Sequence, residues 1–381
     1  MKKLFYIGLI GIALFELLNV YFIMPMPGSQ QVNNLDISYF LHTYRWFFRV
    51  GFGLLAIVGT ASAFRIRHKW IPAVVLLIVG FVAYQFNFKM SAQSMFQQPQ
   101  QLIMLSSLEN NIDEDRIILG IENQGEAKAY PIQFLTYHHQ VRDTIGGKPI
   151  MVTYCSVCRS GRVFEPMVNG KSEQFRLVGM DQFNAMFEDQ TTKSWWRQEN
   201  GEAVAGRLKG TFLPEIASMQ TTLKKWLTLH PQSLIMQSDE GSVMEYDSLA
   251  KFEQGKSKGD LTRTDSLSWK DKSWVVGIQI GDKSKAYDWN RLKKERVVND
   301  VIDNQAIVLV LSEDDKSFAA FERPASNNLF SIQNDTLQSD SFSYNLAGKS
   351  LTNTAISLKK VPVYQEFWHS WRTFHPQTEK Y

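Results

Sequence analysis

Three apolar runs in the first quarter of the chain, at about residues 4–24, 47–64 and 71–88, constrain the fold more than any other feature. Each is long enough to cross a hydrocarbon layer of roughly 30 Å as a helix. Inside lipid a helix is the simplest way for one segment to satisfy its own backbone N–H and C=O groups. Residues 1–90 are therefore expected to form a transmembrane region of three helices. Met1-Lys2-Lys3 ahead of the first run resembles a secretory leader. The run is too long for one, no small-x-small cleavage site follows, and two more spans come after it, so a retained helix is expected. The basic segment Arg65-Ile66-Arg67-His68-Lys69-Trp70 divides the second span from the third. With Lys2, Lys3, Arg65, Arg67 and Lys69 on the cytoplasmic side, the loop near 26–44 and everything beyond Lys89 lie on the outer, periplasmic side of a multi-pass membrane protein. Arg45 and Arg49 at the outer end of the second span can snorkel to the interface beside Trp46. A single intramembrane acid, Glu16, is too little to argue a transport path.

The formal charge of +3 conceals an asymmetry. Residues 1–90 carry eight Lys and Arg against two Asp and Glu, so the remainder is slightly acidic. No basic stripe suits a polyanion, which excludes nucleic acid as a partner and leaves the lipid bilayer. The sequence specifies no protein partner. It also contains no phosphate loop, dinucleotide fingerprint or Ser-His-Asp arrangement, so hydrolase and nucleotide-dependent functions rank low.

Beyond the spans the chain repeats itself. Gly120-Ile121 matches Gly277-Ile278, Lys128-Ala129-Tyr130 matches Lys285-Ala286-Tyr287, and Val141 and Asp143 match Val298 and Asp300, always 157 positions apart. Trp226-x-Thr-x-His230-Pro231-Gln232 recurs as Trp371-x-Thr-x-His375-Pro376-Gln377. The expectation is an α+β, mainly antiparallel β domain built from two related repeats: 91–240 with the cysteines, a polar connecting segment at 241–270, and 271–381 without them. Hairpins are predicted at 116–130 and 274–287, further strand pairs at 150–164 and 307–321, and helices at 223–229 and 367–374.

The only two cysteines, Cys155 and Cys158, form a Cys-x-x-Cys in the first copy. In the second copy Ser312 and Asp315 stand in their places, and Glu295 and Arg296 replace His138 and His139. A scaffold that folds with and without these residues does not need them for its architecture, which favours a site. The motif leads into a strand instead of opening a helix, so a strand–strand turn is expected, converging both sulfurs on one point. Arg159 and Arg162 would favour thiolates there. With His138 as the third ligand, the set suits a soft metal, copper or zinc. Two alternatives stay open: a thiol–disulfide oxidoreductase using Cys155 and Cys158, and a non-catalytic scaffold with a local disulfide. His139, Arg159, Met180, Asp181 and Trp196 are secondary candidates, and the tryptophans of the 192–198 run read first as core.

These motifs carry a resemblance. Ala129-Tyr130-Pro131, His138, Asp143-Thr144-Ile145-Gly146-Gly147, Val152-Thr153-Tyr154-Cys155-Ser156-Val157-Cys158, Trp196-x-Gln198 and the closing Phe-His-Pro-Gln-Thr together resemble the bacterial domain of unknown function 3179 family over about residues 115–381. The chain departs from that pattern at Ser156 and Arg159, where proline and glycine are usual, and at His139 and Arg142. The resemblance implies the domain and the placement of His138, Cys155 and Cys158, and it implies no reaction.

Overall fold

The computed structural model describes residues 1–339, 342–353 and 356–381. The chain divides into two compact units. The first comprises Met1–Gln97, Glu173–Arg197 and Glu202–Phe212; the second comprises Gln98–Ser172, Gln198–Gly201 and Leu213–Tyr381.

In the first unit three helices, Lys2–Tyr21, Arg45–Ala63 and Trp70–Lys89, are long and apolar enough to cross a membrane. The first packs tightly on the second because glycine lies at the contact. A Cβ on Gly8 would sit 2.5 Å from the Ala56 backbone nitrogen, and one on Gly59 would sit 2.2 Å from that of Phe5. Small residues let two backbones approach where lipid offers no hydrophobic drive for association. Glu16 is not isolated: Arg49 grips it with Nε and Nη2 at 2.7 and 2.9 Å, and Asn87 donates to it at 3.0 Å.

Residues of the expected first repeat also belong to this unit. Phe175–Asp181, Asn184–Asp189, Trp195–Arg197 and Ala203–Ala205 form a four-stranded antiparallel sheet packed on the helical segments. Met180 N donates to Ile23 O at 2.7 Å, Gln30 Oε1 accepts from Phe183 N at 3.1 Å, and Tyr39 meets Trp195 edge-on at 5.1 Å. Gly179 is obligatory there, since a Cβ would lie 2.3 Å from the Ile23 carbonyl oxygen.

The second unit shows one local plan at two places. In the first half Ile117–Asn123 and Glu126–Pro131 form a hairpin, the helix Ile132–His138 follows, and Gln140–Ile145, Lys148–Cys155 and Ser160–Phe164 form an antiparallel sheet. In the second half the corresponding elements are Trp274–Ile280, Lys283–Asp288, Trp289–Glu295, Val297–Ile302, Gln305–Leu311 and Phe318–Glu322. Each helix stops at a left-handed residue, His139 or Arg296. The Lys-x-Tyr…Asp pattern acquires a structural meaning. Tyr130 OH and Lys128 Nζ meet Asp143 at 2.7 and 3.1 Å, while Tyr287 OH and Lys285 Nζ meet Asp300 at 2.9 and 2.9 Å, tying each hairpin to the next sheet. A glycine in each hairpin clears a tryptophan: a Cβ on Gly120 would meet the Trp226 ring at 2.4 Å, and one on Gly277 the Trp371 ring at 2.2 Å.

The expected connecting segment contains structure. Val243–Glu253 is a helix whose Tyr246 and Phe252 enter the core beside Phe134, Tyr154 and Phe367. Its Glu253 accepts from Ile117 N at 2.7 Å.

Candidate functional site

Strand Lys148–Cys155 pairs antiparallel with Ser160–Phe164, placing Cys155 opposite Ser160 and the rest of the Cys-x-x-Cys in the intervening turn. Arg159 closes the turn in the left-handed region, at φ 58°. Both cysteines are fully buried and are not joined by a disulfide. Their side chains hydrogen bond to one another.

The turn is held by residues from the far end of the chain. Phe367 N donates to Cys158 O at 2.8 Å, and Lys272 Nζ donates to Val157 O at 2.9 Å and to Leu261 O at 2.6 Å. His369 Nε2 lies 3.0 Å from Val157 O and 3.1 Å from Lys272 Nζ. These residues come from strand Tyr364–Phe367, from helix Trp368–Phe374, and from the approach to strand Trp274–Ile280. Ser370, on the same helix, hydrogen bonds with Cys158 and donates to Glu366 at 2.8 Å.

The electrostatics differ from the sequence expectation. Burial pushes the Cys158 thiol well up, its hydrogen bond to Cys155 and that neighbour's charge push the same way, and Ser370 opposes them only in part. Neither arginine is committed to the sulfurs. Arg159 stacks on Trp274 at 3.6 Å and donates to Gln365 and to the Phe252 and Glu253 carbonyls. Arg162 pairs with Glu366 at 2.7 Å. The cation beside the thiols is Lys272, pushed down to about 8 by burial, with the cysteines pulling the other way. His369 is pushed down to about 4, first by burial and then by Lys272. At neutral pH the protonated Cys158 thiol thus lies beside an ammonium and a neutral imidazole.

His138 ends the helix Ile132–His138, with its Nε2 2.5 Å from the Tyr246 hydroxyl. His139 places Nδ1 2.9 Å from Tyr154 O, one residue before Cys155, and burial pushes it down to about 4. Among the described residues no group of three or more His, Cys, Asp and Glu side chains is arranged to share a metal ion. Met180, Asp181 and Trp196 belong to the other unit, where Asp181 pairs with Arg197 at 2.6 Å and Trp196 Nε1 donates to Asp189 at 3.0 Å.

Sequence reasoning missed Lys272, Glu366, His369 and Ser370. For the last three a signal was present. Aligned on the Trp-x-Thr-x-His-Pro-Gln segments, Glu366, His369 and Ser370 fall on Thr221, Lys224 and Lys225, so the two segments differ here too. At the corresponding turn of the second half, Arg296 pairs with Asp315 at 2.5 Å and Thr222 donates to Asp314 at 3.0 Å. Charged and hydroxyl groups hold that turn where thiols occupy the first.

Comparison with known proteins gives one match. The family model described as "Protein of unknown function (DUF3179)" matches residues 98–378. No curated protein and no solved structure matches.

Proposed function

We propose, from the premise that the chain belongs to the DUF3179 family of proteins of unknown function, that it is a membrane-anchored protein whose Cys155 and Cys158 cycle between dithiol and disulfide. The observation that carries this reading is the placement of two buried cysteines, not bridged to one another, on one strand–strand turn. The exchange balances with a disulfide of a protein or small molecule as co-reactant. One sulfur, as thiolate, attacks that disulfide and expels the first thiolate; the second sulfur displaces the mixed disulfide and expels the next. Two electrons and two protons leave the pair. Lys272 sits where it would stabilise the sulfur that first loses its proton. The Lys and Arg distribution supports a multi-pass anchor with the second unit on the outer side, where disulfides persist.

A soft-metal reading rests on the same two sulfurs, since thiolates select copper(I) or zinc over harder ions. The two readings separate in one experiment. The full chain is purified in detergent under reduction, its bound metal is measured by mass spectrometry, and its thiols are titrated against a redox buffer, with Cys155→Ser/Cys158→Ser alongside. A reversible two-electron couple without metal supports the redox reading. Stoichiometric metal lost from the variant supports the metal reading in its place. Thiols that neither oxidise reversibly nor hold metal overturn both.

A further inference from the structure

The first unit contains a cavity of about 190 Å³ at the junction of the apolar helices with the strand Phe175–Asp181. Its polar lining includes Asn19, His42, Arg45, Arg49, Asn87 and Arg176, and among the described residues no carboxylate lines it. Two of the arginines are already neutralised, Arg49 by Glu16 and Arg176 by Glu188 at 2.6 Å. Arg45 is not. Its Nη1 donates to the His42 carbonyl at 2.6 Å, and among the described residues no carboxylate lies within ion-pair distance of it. The cavity therefore carries an uncompensated positive charge.

Two of the lining residues carry a polar atom without a hydrogen-bond partner. Asn19 Oδ1 is buried without a hydrogen bond, on a residue more than nine-tenths buried. His42 Nδ1 is also buried without one. Arg176 Nη2 lies 3.2 Å from His42 Nε2, and a guanidinium can only donate, so Nε2 accepts and Nδ1 carries the proton of a neutral ring. Burial, followed by Arg45, Arg176 and Arg49, pushes His42 down to about 3, in keeping with that tautomer. An unmet buried donor or acceptor has lost its hydrogen bonds to water without regaining them. What the wall lacks is an anion for Arg45, an acceptor for His42 and a donor for Asn19.

We propose that this cavity binds the headgroup of an anionic glycerophospholipid, the phosphodiester facing Arg45 and His42 and a headgroup hydroxyl facing Asn19. Phosphate oxygens supply the charge and the acceptor, and the hydroxyl supplies the donor. Exposed Trp46, Phe47 and Phe88 on the adjoining helices give acyl chains an apolar path away from the cavity. The site is independent of the thiol pair.

The test uses the full chain in detergent micelles and native mass spectrometry, with dioctanoyl phosphatidylglycerol, dioctanoyl phosphatidylcholine and inorganic phosphate as probes. Phosphatidylglycerol is expected to bind stoichiometrically and at least tenfold more tightly than phosphatidylcholine, whose headgroup has no donor. Arg45→Gln is expected to weaken it tenfold or more, and Asn19→Ala to reduce the preference between the two lipids. If Arg45→Gln does not fold, Arg45→Lys keeps the charge without the fork and is expected to bind several-fold more weakly. Equal retention of both lipids, or binding unchanged in the Arg45 variant that folds, overturns the proposal. Inorganic phosphate that binds as tightly and displaces the lipid overturns it in favour of a free-anion site.

Discussion

Replacing Arg162 by methionine tests whether the polar cluster behind the thiols is held by charge. The guanidinium is buried, and Glu366, its 2.7 Å partner, is completely so. Arg162 also donates to Glu199 O at 2.9 Å and to Ser160 Oγ at 3.2 Å, stacks over Tyr364 at 3.3 Å, and has the Glu199 and Glu215 carboxylates at 3.8 Å. Methionine fills part of the volume but leaves those carboxylates without a cation. Breaking one partner of a buried pair costs about 3–5 kcal/mol. For a unit of this size that corresponds to a fall of roughly 10 °C in the unfolding midpoint. Glu366 is already held above the usual carboxylate range by burial, which outweighs Arg162. An acid raised on folding contributes stability at low pH that is lost as pH climbs through its folded value, so the deficit of Arg162→Met should shrink from pH 7 to pH 5. Arg162→Met/Glu366→Gln keeps an acceptor for Ser160 while removing the stranded charge, and should recover most of the loss. Thermal unfolding of the full chain in detergent reads both variants beside Glu366→Gln alone. A single-variant loss below about 1 kcal/mol, or a double variant whose loss equals the sum of the single ones, would refute the argument from burial and coupling.

Other outcomes follow from the same geometry. The Cys155 and Cys158 thiols should react with iodoacetamide at pH 8 at least about a hundredfold more slowly in the folded chain than in urea, because burial hinders access and holds Cys158 protonated; equal rates would show an open turn. Lys272 is lowered on folding to about 8, so the native state bears the full cost of its buried charge below that value and sheds it as pH rises towards the unfolded value of 10.5. Wild type should therefore gain roughly 3 kcal/mol relative to Lys272→Met between those limits, read as the difference in unfolding midpoint across a pH series. Gly120→Ala and Gly277→Ala should each destabilise by about 1–3 kcal/mol or more, since the new methyl meets a buried tryptophan ring in both halves; a neutral alanine at either position would mean that the ring moves freely.

Much of the second unit was legible because its rules are local. Strand Trp274–Ile280 and helix Leu223–Leu229 occur at their expected residues, the latter capped by Thr222 Oγ1 accepting from Lys225 N. The helix Val243–Glu253 was hidden by its polar composition: two aromatic anchors, Tyr246 and Phe252, suffice once a core exists to receive them. The sheet at 175–205 has ordinary strand patterning, and nothing within it states that Met180 will bond to Ile23. The candidate site was half legible for the same reason. Cysteines declare themselves, but Lys272 and His369 reach Val157 across more than a hundred residues, and only for His369 does the alignment of the two Trp-x-Thr-x-His-Pro-Gln segments give a pointer.

The sheet shared with the helices has a consequence for biogenesis. The helices are made first, yet strands 175–205 that complete their unit emerge only after residues 98–172 of the other unit have passed. Neither unit can finish in order of synthesis, because each waits on a segment that lies beyond part of its neighbour. A fragment cut after the last helix would leave Trp195 without Tyr39 and Met180 without the Ile23 carbonyl. Folding of the first unit thus needs the apolar helices and the strands at 175–205 together, although most of the second unit's first half is made between them.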